Sequence, residues 1–192
     1  WISDGGKSLC LSVLFYPKLD LSHQFTFNKC IALALVSSLN VLGVKSFIKW
    51  PNDILSDSFK ISGVLIENLI KQSQIEYSVI GIGLNVNQLK FEGLTKVSSL
   101  KNIILLDLDK NELLTKIIEK LKIYFKLYSE SGSGSLRREY ESYLFRKDKY
   151  STFSGHNNNL FTGIIRGVSA SGKLCVQTES FNKEFDLKEL KL

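Results

Sequence analysis

Hydrophobic and polar positions change period several times along the 192 residues, and each change predicts an element. "SLCLSVLFY" (8–16) is rich in Leu, Val and aromatics and is stopped by Pro17, which reads as a buried strand. "FNKCIALALVSSLNVLG" then sets Ile31, Leu35, Leu39 and Leu42 at helical spacing and closes on Gly43, a helix with a glycine C-cap. "KSFIKW" is a short strand running into a turn at Pro51. "FKISGVLIENLI" and "IEYSVIGIGLNV" are two longer strands joined by a short polar turn between Lys71 and Gln74, an antiparallel hairpin. Their nearly continuous apolar character predicts a central position covered by helices.

From Asp109 the period becomes helical. Asp109 and Glu112 have the spacing of a capping box, and Leu113, Ile117, Leu121, Tyr124, Phe125 and Tyr128 extend one apolar stripe. A long amphipathic helix lying on the sheet follows. "SESGSGS" (129–135) has linker composition, but helical period resumes in "LRREYESYLF", which predicts a loop between helices. A firmer boundary falls near residues 146–150. Beyond it "LFTGIIRGV", "KLCVQTE" and "KEFDL" are short strands between polar turns, which predicts a small SH3-like barrel over 148–192 leaning on a larger domain of 1–147. The fold class expected is α+β, a mixed and largely antiparallel sheet flanked by helices. No internal repeat is present.

Composition narrows the function classes. With 44% apolar and 23% charged residues the chain can bury a core, and no apolar run reaches the roughly 20 residues needed to span a bilayer, so a cytoplasmic location is the default expectation. The net charge of +6 is scattered among interleaved acidic residues, unlike a nucleic-acid footprint. Cys10, Cys30 and Cys175 are too far apart for a zinc or disulfide pattern and are expected to be buried hydrophobes. There is no methionine and the sequence begins at Trp1, so an N-terminal segment is expected to precede it.

Three stretches carry chemistry. In "KWPND" Pro51 enforces a rigid turn, at which Asn52 and Asp53 either bond local backbone or project into a cleft. Lys60, at the head of an apolar strand, is either solvated or a point charge for a carboxylate or phosphate. In "GIGLNVN" Gly81 and Gly83 clear one strand face for a close neighbour, with Asn85 and Asn87 following on that face. The third glycine of a dinucleotide fingerprint is absent.

Taken in order, Lys-Trp-Pro-Asn-Asp, Lys-Ile-Ser-Gly-Val-Leu-Ile-Glu and Gly-Ile-Gly-Leu-Asn-Val-Asn closely resemble the signature of bacterial biotin–protein ligases. "W-x-S-x-x-G-K-S-L" at the start, "SSL" (98–100), "YLFRKD" (143–148) and the terminal module extend the resemblance over essentially the whole chain. It implies a catalytic fold related to class II aminoacyl-tRNA synthetases, followed by an SH3-like domain. It also implies ATP-dependent formation of biotinyl-5′-adenylate and transfer of biotin to a lysine of a biotin carboxyl carrier protein.

Carried over, Lys60 resembles the lysine contacting the biotin carboxylate and α-phosphate, and Asp53 the aspartate orienting the acceptor lysine. Trp1, Asn52, Gly63, Gly81 and Gly83 fall in the biotin and ATP site, and Asn85 near the phosphates and Mg²⁺. A homodimer is compatible with the resemblance. The family's Gly-Arg-Gly-rich loop, and the strand and helix before it, are not in the sequence, so 1–192 is expected to be the C-terminal part of a ligase. Lipoate–protein ligase, which shares the fold, and a non-catalytic biotin-binding or regulatory module are the rival readings.

Overall fold

The computed structural model describes residues 1–131, 133–155, 158–187 and 189–190. Its elements are β1 (Ser8–Phe15), β2 (Leu19–Asp20), α1 (Gln24–Val41), β3 (Phe47–Lys49), β4 (Asp53–Ser56), β5 (Phe59–Lys71) and β6 (Gln74–Asn85). Then follow α2 (Leu100–Ile104), α3 (Lys110–Ser131), α4 (Ser133–Ser142), β7 (Tyr150–Ser154), β8 (Leu160–Val168), β9 (Leu174–Gln177) and β10 (Asn182–Phe185). The first sheet runs β1-β6-β5-β4-β3, with β2 also on β6. All pairings between these strands are antiparallel, and parallel geometry is confined to isolated bridges such as Lys60 with Val97.

The hairpin expected from the sequence is β5–β6, closed by a two-residue turn in which Gln72 and Ser73 have φ of 49° and 62°. Both values are left-handed, as a primed turn requires to match strand twist. The helix ending at Gly43 is α1, where Val44 N donates to Leu39 O (3.1 Å) and Gly43 N to Asn40 O (3.0 Å) while Gly43 takes φ +78°. That pair of bonds satisfies the last helical carbonyls and needs the glycine. Asp109 caps α3 through bonds accepted from Asn111 N (2.7 Å) and Glu112 N (3.2 Å).

Several expectations are corrected. α1 forms as expected, but its burial goes beyond the Ile31, Leu35 and Leu39 positions: residues 29–36 are all buried, because the helix is wedged inside the core. The loop expected at 129–135 is largely helical, since α3 reaches Ser131 and α4 starts at Ser133; Gly132 lies outside the described residues. β4 and the short α2 were not anticipated by the period. Among the described residues, helices cover only one face of the first sheet. On that face Phe15, Phe27 and Phe125 stack at 4.3–5.5 Å, joining β1, α1 and α3. On the other, Cys10, Ser12, Leu14 and Tyr16 of the β1 region are exposed.

The second sheet, β10-β9-β8-β7, is open: among the described residues nothing pairs β7 with β10, so the expected closed barrel is not seen. Its apolar side is buried differently. Ile165, Val168, Leu174, Val176 and Phe185 share one core with α1 and α4, so the sheet is completed by the larger body and not by its own curvature. Trp50 Nε1 donates to Gly172 O (2.8 Å), and Asp148 N to Ile165 O (2.9 Å). At Gly172 (φ +92°) a Cβ would lie 2.6 Å from the Phe25 ring, so the turn before β9 can approach α1 only as glycine.

Candidate active site

The site grows from the turn after Trp50. The Trp50–Pro51 peptide is cis, and Asn52 then locks the chain to β5, its Nδ2 donating to Val64 O (2.6 Å) while Val64 N donates to Asn52 O (2.9 Å). Asn52 therefore spends its amide on backbone, although it still borders the cleft. With the turn fixed, Asp53 opens β4 directly across from Gly63. The pairing continues as one row across the sheet: Cys10, Gly83, Gly63, Asp53, Lys49.

Strict alternation would put Lys60 on the opposite face from Gly63, three residues on. A β-bulge reverses this. Leu55 pairs with Lys60 but Ile54 with Ser62, so Ile61 is the extra residue and Lys60 turns to the row's own face. Both flanks of its backbone are held, since Lys60 N donates to Lys96 O (2.9 Å) and Ser98 N to Lys60 O (3.0 Å) beyond the end of β6. There Lys60 Nζ meets Asp53 Oδ1 at 2.6 Å, with the two side chains 36% and 28% exposed. The pair is fixed in place yet reachable by solvent, and in so wet a setting its attraction alone adds little stability.

The glycines shape what lies beside it. A Cβ on Gly63 would stand 3.2 Å from Lys60 Cε and Nζ. One on Gly83 would fall 2.7 Å from Trp1 Cε2, and nearer to two other atoms of that indole. Gly81 is less crowded, a Cβ there meeting only Leu65 O at 3.7 Å and Leu65 Cβ at 3.8 Å, ordinary contact distances. The Trp1 ring therefore lies on Gly83, and the clear floor is over Gly81. The resulting cleft, about 440 Å³, brings together Trp1, Asn52, Asp53, Lys60, Gly63, Gly81 and Gly83.

Asn85 does not line this cleft. It is 2% exposed and its Nδ2 donates to Ser98 O (3.0 Å), while Asn87 clips Leu108 through both N and O (2.9 and 3.0 Å). No cluster of three His, Cys, Asp or Glu side chains that could hold a metal ion occurs among the described residues. The donor set does not fit a protein-held Mg²⁺. What it does fit is an anion at Lys60 with a flat group on the glycine floor, beside a carboxylate able to receive an amine.

Comparison with known proteins agrees in fold and sequence. The Biotin/lipoate A/B protein ligase family matches residues 1–85. The chain is 26% identical over 194 positions to the bifunctional ligase/repressor BirA of Escherichia coli, covering 95% of this chain and 58% of that protein. It is 34% identical over 89 positions to BirA of Bacillus spizizenii, covering 46% of this chain and 27% of that one. The apo biotin protein ligase of Aquifex aeolicus superposes with a TM-score of 0.80 at 26% identity, over 96% of this chain and 81% of that one. The chain is thus similar to the biotin/lipoate protein ligase family in its first 85 residues and to a biotin protein ligase in fold. It spans little more than half of the E. coli relative and about a quarter of the Bacillus one.

Every cleft residue named above lies within the part matched by the ligase family. Sequence reasoning missed others that share this cleft, notably Cys10, Ser12 and Leu65. Cys10 was expected to be buried but is exposed, because alternate residues of β1 face the cleft opposite Gly83 and Gly81, on the side of the sheet that the helices leave uncovered. Alternation in "SLCLSVLF" places Cys10, Ser12 and Leu14 together, but not against which strand. Cys175 is half-buried; Cys30 is buried as expected, and burial pushes its thiol up to about 12.

Proposed function

We propose that this chain carries the catalytic centre of a biotin–protein ligase. Biotin and ATP form biotinyl-5′-adenylate and pyrophosphate, and the biotinyl group then passes to a lysine of a biotin carboxyl carrier protein. The observation that carries the reading is the Lys60–Asp53 pair, bulged onto the face of Gly63 and Gly83 in one open cleft. A relative of the same fold, from Aquifex aeolicus, has been solved with biotin and ATP (TM-score 0.78, 25% identity, 96% of this chain and 78% of that one).

In the first step the biotin carboxylate oxygen bonds to the α-phosphorus as the bond to the β-phosphate oxygen breaks, and pyrophosphate leaves. Two anions are brought together, so an ammonium at that point lowers the barrier. Lys60 supplies it, exchanging Asp53 for the incoming oxygens. Asp53 is thereby released to hold the ammonium form of the acceptor lysine and orient it. In the second step Asp53 takes one proton from that ammonium, the neutral amine attacks the acyl carbon, the bond to AMP breaks with AMP leaving, and the second amine proton passes to solvent. The exchange orders the reaction: Asp53 is vacated for the acceptor only when Lys60 has an anion.

Gly81 gives a biotin ring system its floor, and Trp1 walls the adenylate side. Mg²⁺ enters as the partner of the ATP triphosphate, with no step assigned to a protein ligand. We place the catalytic part at 1–147 and the accessory module, related to the SH3-like domain of the family, at 148–192.

The test is exchange of labelled pyrophosphate into ATP by the full-length protein. Exchange dependent on biotin supports the reading. Exchange with lipoate alone would assign the chain to the other branch of the family, and undiminished carrier biotinylation by Lys60→Ala would make the cleft a binding module.

A further inference from the structure

On the Asp53 side the active-site cleft continues outward. Asp53 also borders an apolar trough of about 500 Å³, shared with Leu144, Phe145, Leu174 and Leu187. Leu144 and Phe145 then border a wider depression of about 880 Å³ between the β3 end of the first sheet and the segment following α4. The outer depression is cationic after its internal pairs are set aside. Of its three carboxylates, Asp148 is held by Lys147 (2.6 Å) and Arg166 (2.7 Å), and Glu141 by Arg137 (3.0 Å). Lys45, Arg146 and Lys149 have no carboxylate within ion-pair reach among the described residues, and only Asp57 remains to oppose them.

Two of these cations are positioned by aromatic rings. Lys45 Nζ stands 5.7 Å from the Phe47 ring centre and Arg146 Cζ 5.7 Å from that of Phe145, while the two rings are 6.4 Å apart. The result is a ladder of cation, ring, ring, cation, ending at the trough that leads to Asp53.

We propose that this run of depressions is the docking surface for the acceptor protein, and that the acceptor carries acidic side chains beside an apolar patch next to its modified lysine. The proposal rests on the ligase reading above. With the lysine at Asp53, a neighbouring apolar side chain fills the trough over Leu174 and Leu187, and carboxylates meet Lys45 and Arg146. The apolar trough between site and cations suits a folded protein and not a nucleic-acid backbone, which would demand continuous charge. Opposite charge at such a rim acts mainly on encounter and so on the apparent affinity for the carrier.

The experiment uses the full-length protein with the biotin carboxyl carrier domain encoded in the same genome, comparing wild type with Lys45→Glu, Arg146→Glu and the double variant. Pyrophosphate exchange, which needs no carrier, is expected to stay within twofold. The carrier KM should rise about tenfold or more in the double variant at low salt, with kcat at saturation unchanged and the salt dependence of kcat/KM flattened. Replacing an acidic residue of the carrier by lysine should restore part of the loss against Arg146→Glu. Lys45→Gln and Arg146→Gln, which add no repulsion, should give smaller rises in the same direction.

An unchanged carrier KM with normal exchange would overturn the docking surface and leave the ligase reading standing. Displacement of a DNA duplex by these substitutions with carrier KM unmoved would reassign the surface. A wild-type protein with no biotin-dependent exchange would overturn both proposals.

Discussion

On one face of β5 and β6, Val64, Ile80, Ile82 and Leu84 are at most 7% exposed, in one core with α1 and α3. On the other, Gly63, Gly81 and Gly83 leave a floor on which Trp1 lies and beside which Lys60 meets Asp53. The same two strands thus supply bulk to one side and remove it from the other, residue by residue. The difference separates stability from chemistry: the covered face holds the sheet, and the bare face is free to receive a ligand because it contributes little to holding the fold.

The sharpest way to break this division is Lys60→Ala. It should lower biotin-dependent pyrophosphate exchange by about a thousandfold, the order expected for losing one charge aimed at a transition state, with Tm nearly unchanged. A large fall in Tm would show that the bare face is structural after all. Leu84→Ala, on the covered face at 0% exposure, should do the reverse. A loss of about 3 kcal/mol in denaturant unfolding is expected, with the exchange rate per folded molecule retained.

Gly83→Ala tests the boundary between the two. Its Cβ meets the Trp1 indole, a side chain 54% exposed and able to move, so the cost should fall on the ligand. The KM for biotin should rise by about ten- to a hundredfold, following an overpacking cost of about 1–3 kcal/mol. Little change should be seen in Tm.

The smallest effect concerns charge under the covered face. Lys29 of α1 is 3% exposed, with Nζ 4.9 Å from the Phe25 ring centre. Burial lowers its pKa below 10.5 and nearby Arg137 lowers it further, while Glu141 and Cys30 act the other way. Between that lowered value and 10.5 the unfolded chain binds more protons than the folded one, so stability rises with pH across the window. Below the window the cost of burying the charge is fully present. Lys29→Met should raise the denaturation midpoint at neutral pH and flatten its alkaline rise, leaving exchange unaffected.

Much of this division was legible in the sequence. Apolar runs found β1, β5 and β6, and the glycines marked a face cleared for a close neighbour before any strand was paired, although helices were expected to cover the hairpin. The face of Lys60 was not legible, because a bulge is a property of two strands in register and Ile61 looks like any other buried residue of β5. The same applies to Cys10, whose exposure follows from its lying on the face of the sheet that the helices leave uncovered, as Leu65 of central β5 also does. In α1 the helical spacing of Ile31, Leu35 and Leu39 was legible, but Cys30, Ala32, Leu33, Ala34 and Val36 between them are also buried, by elements distant in sequence. The closed barrel failed for the same reason: local patterning counted strands but did not show that α1 and α4 would cover them.

The hydrogen bond from Trp50 to Gly172 has an optical consequence. The 192 residues contain two tryptophans, and they stand at two working boundaries, Trp1 on the glycine floor and Trp50 at the seam between the sheets. Replacing either by phenylalanine leaves a single tryptophan in these 192 residues, read apart from the tyrosines by excitation at the red edge of the absorption band. The emission of Trp1 then follows occupancy of the cleft, and that of Trp50 follows the seating of the second sheet against the turn that carries Asp53. Ligand arrival and sheet movement can thus be timed separately, one in each variant, with no added dye.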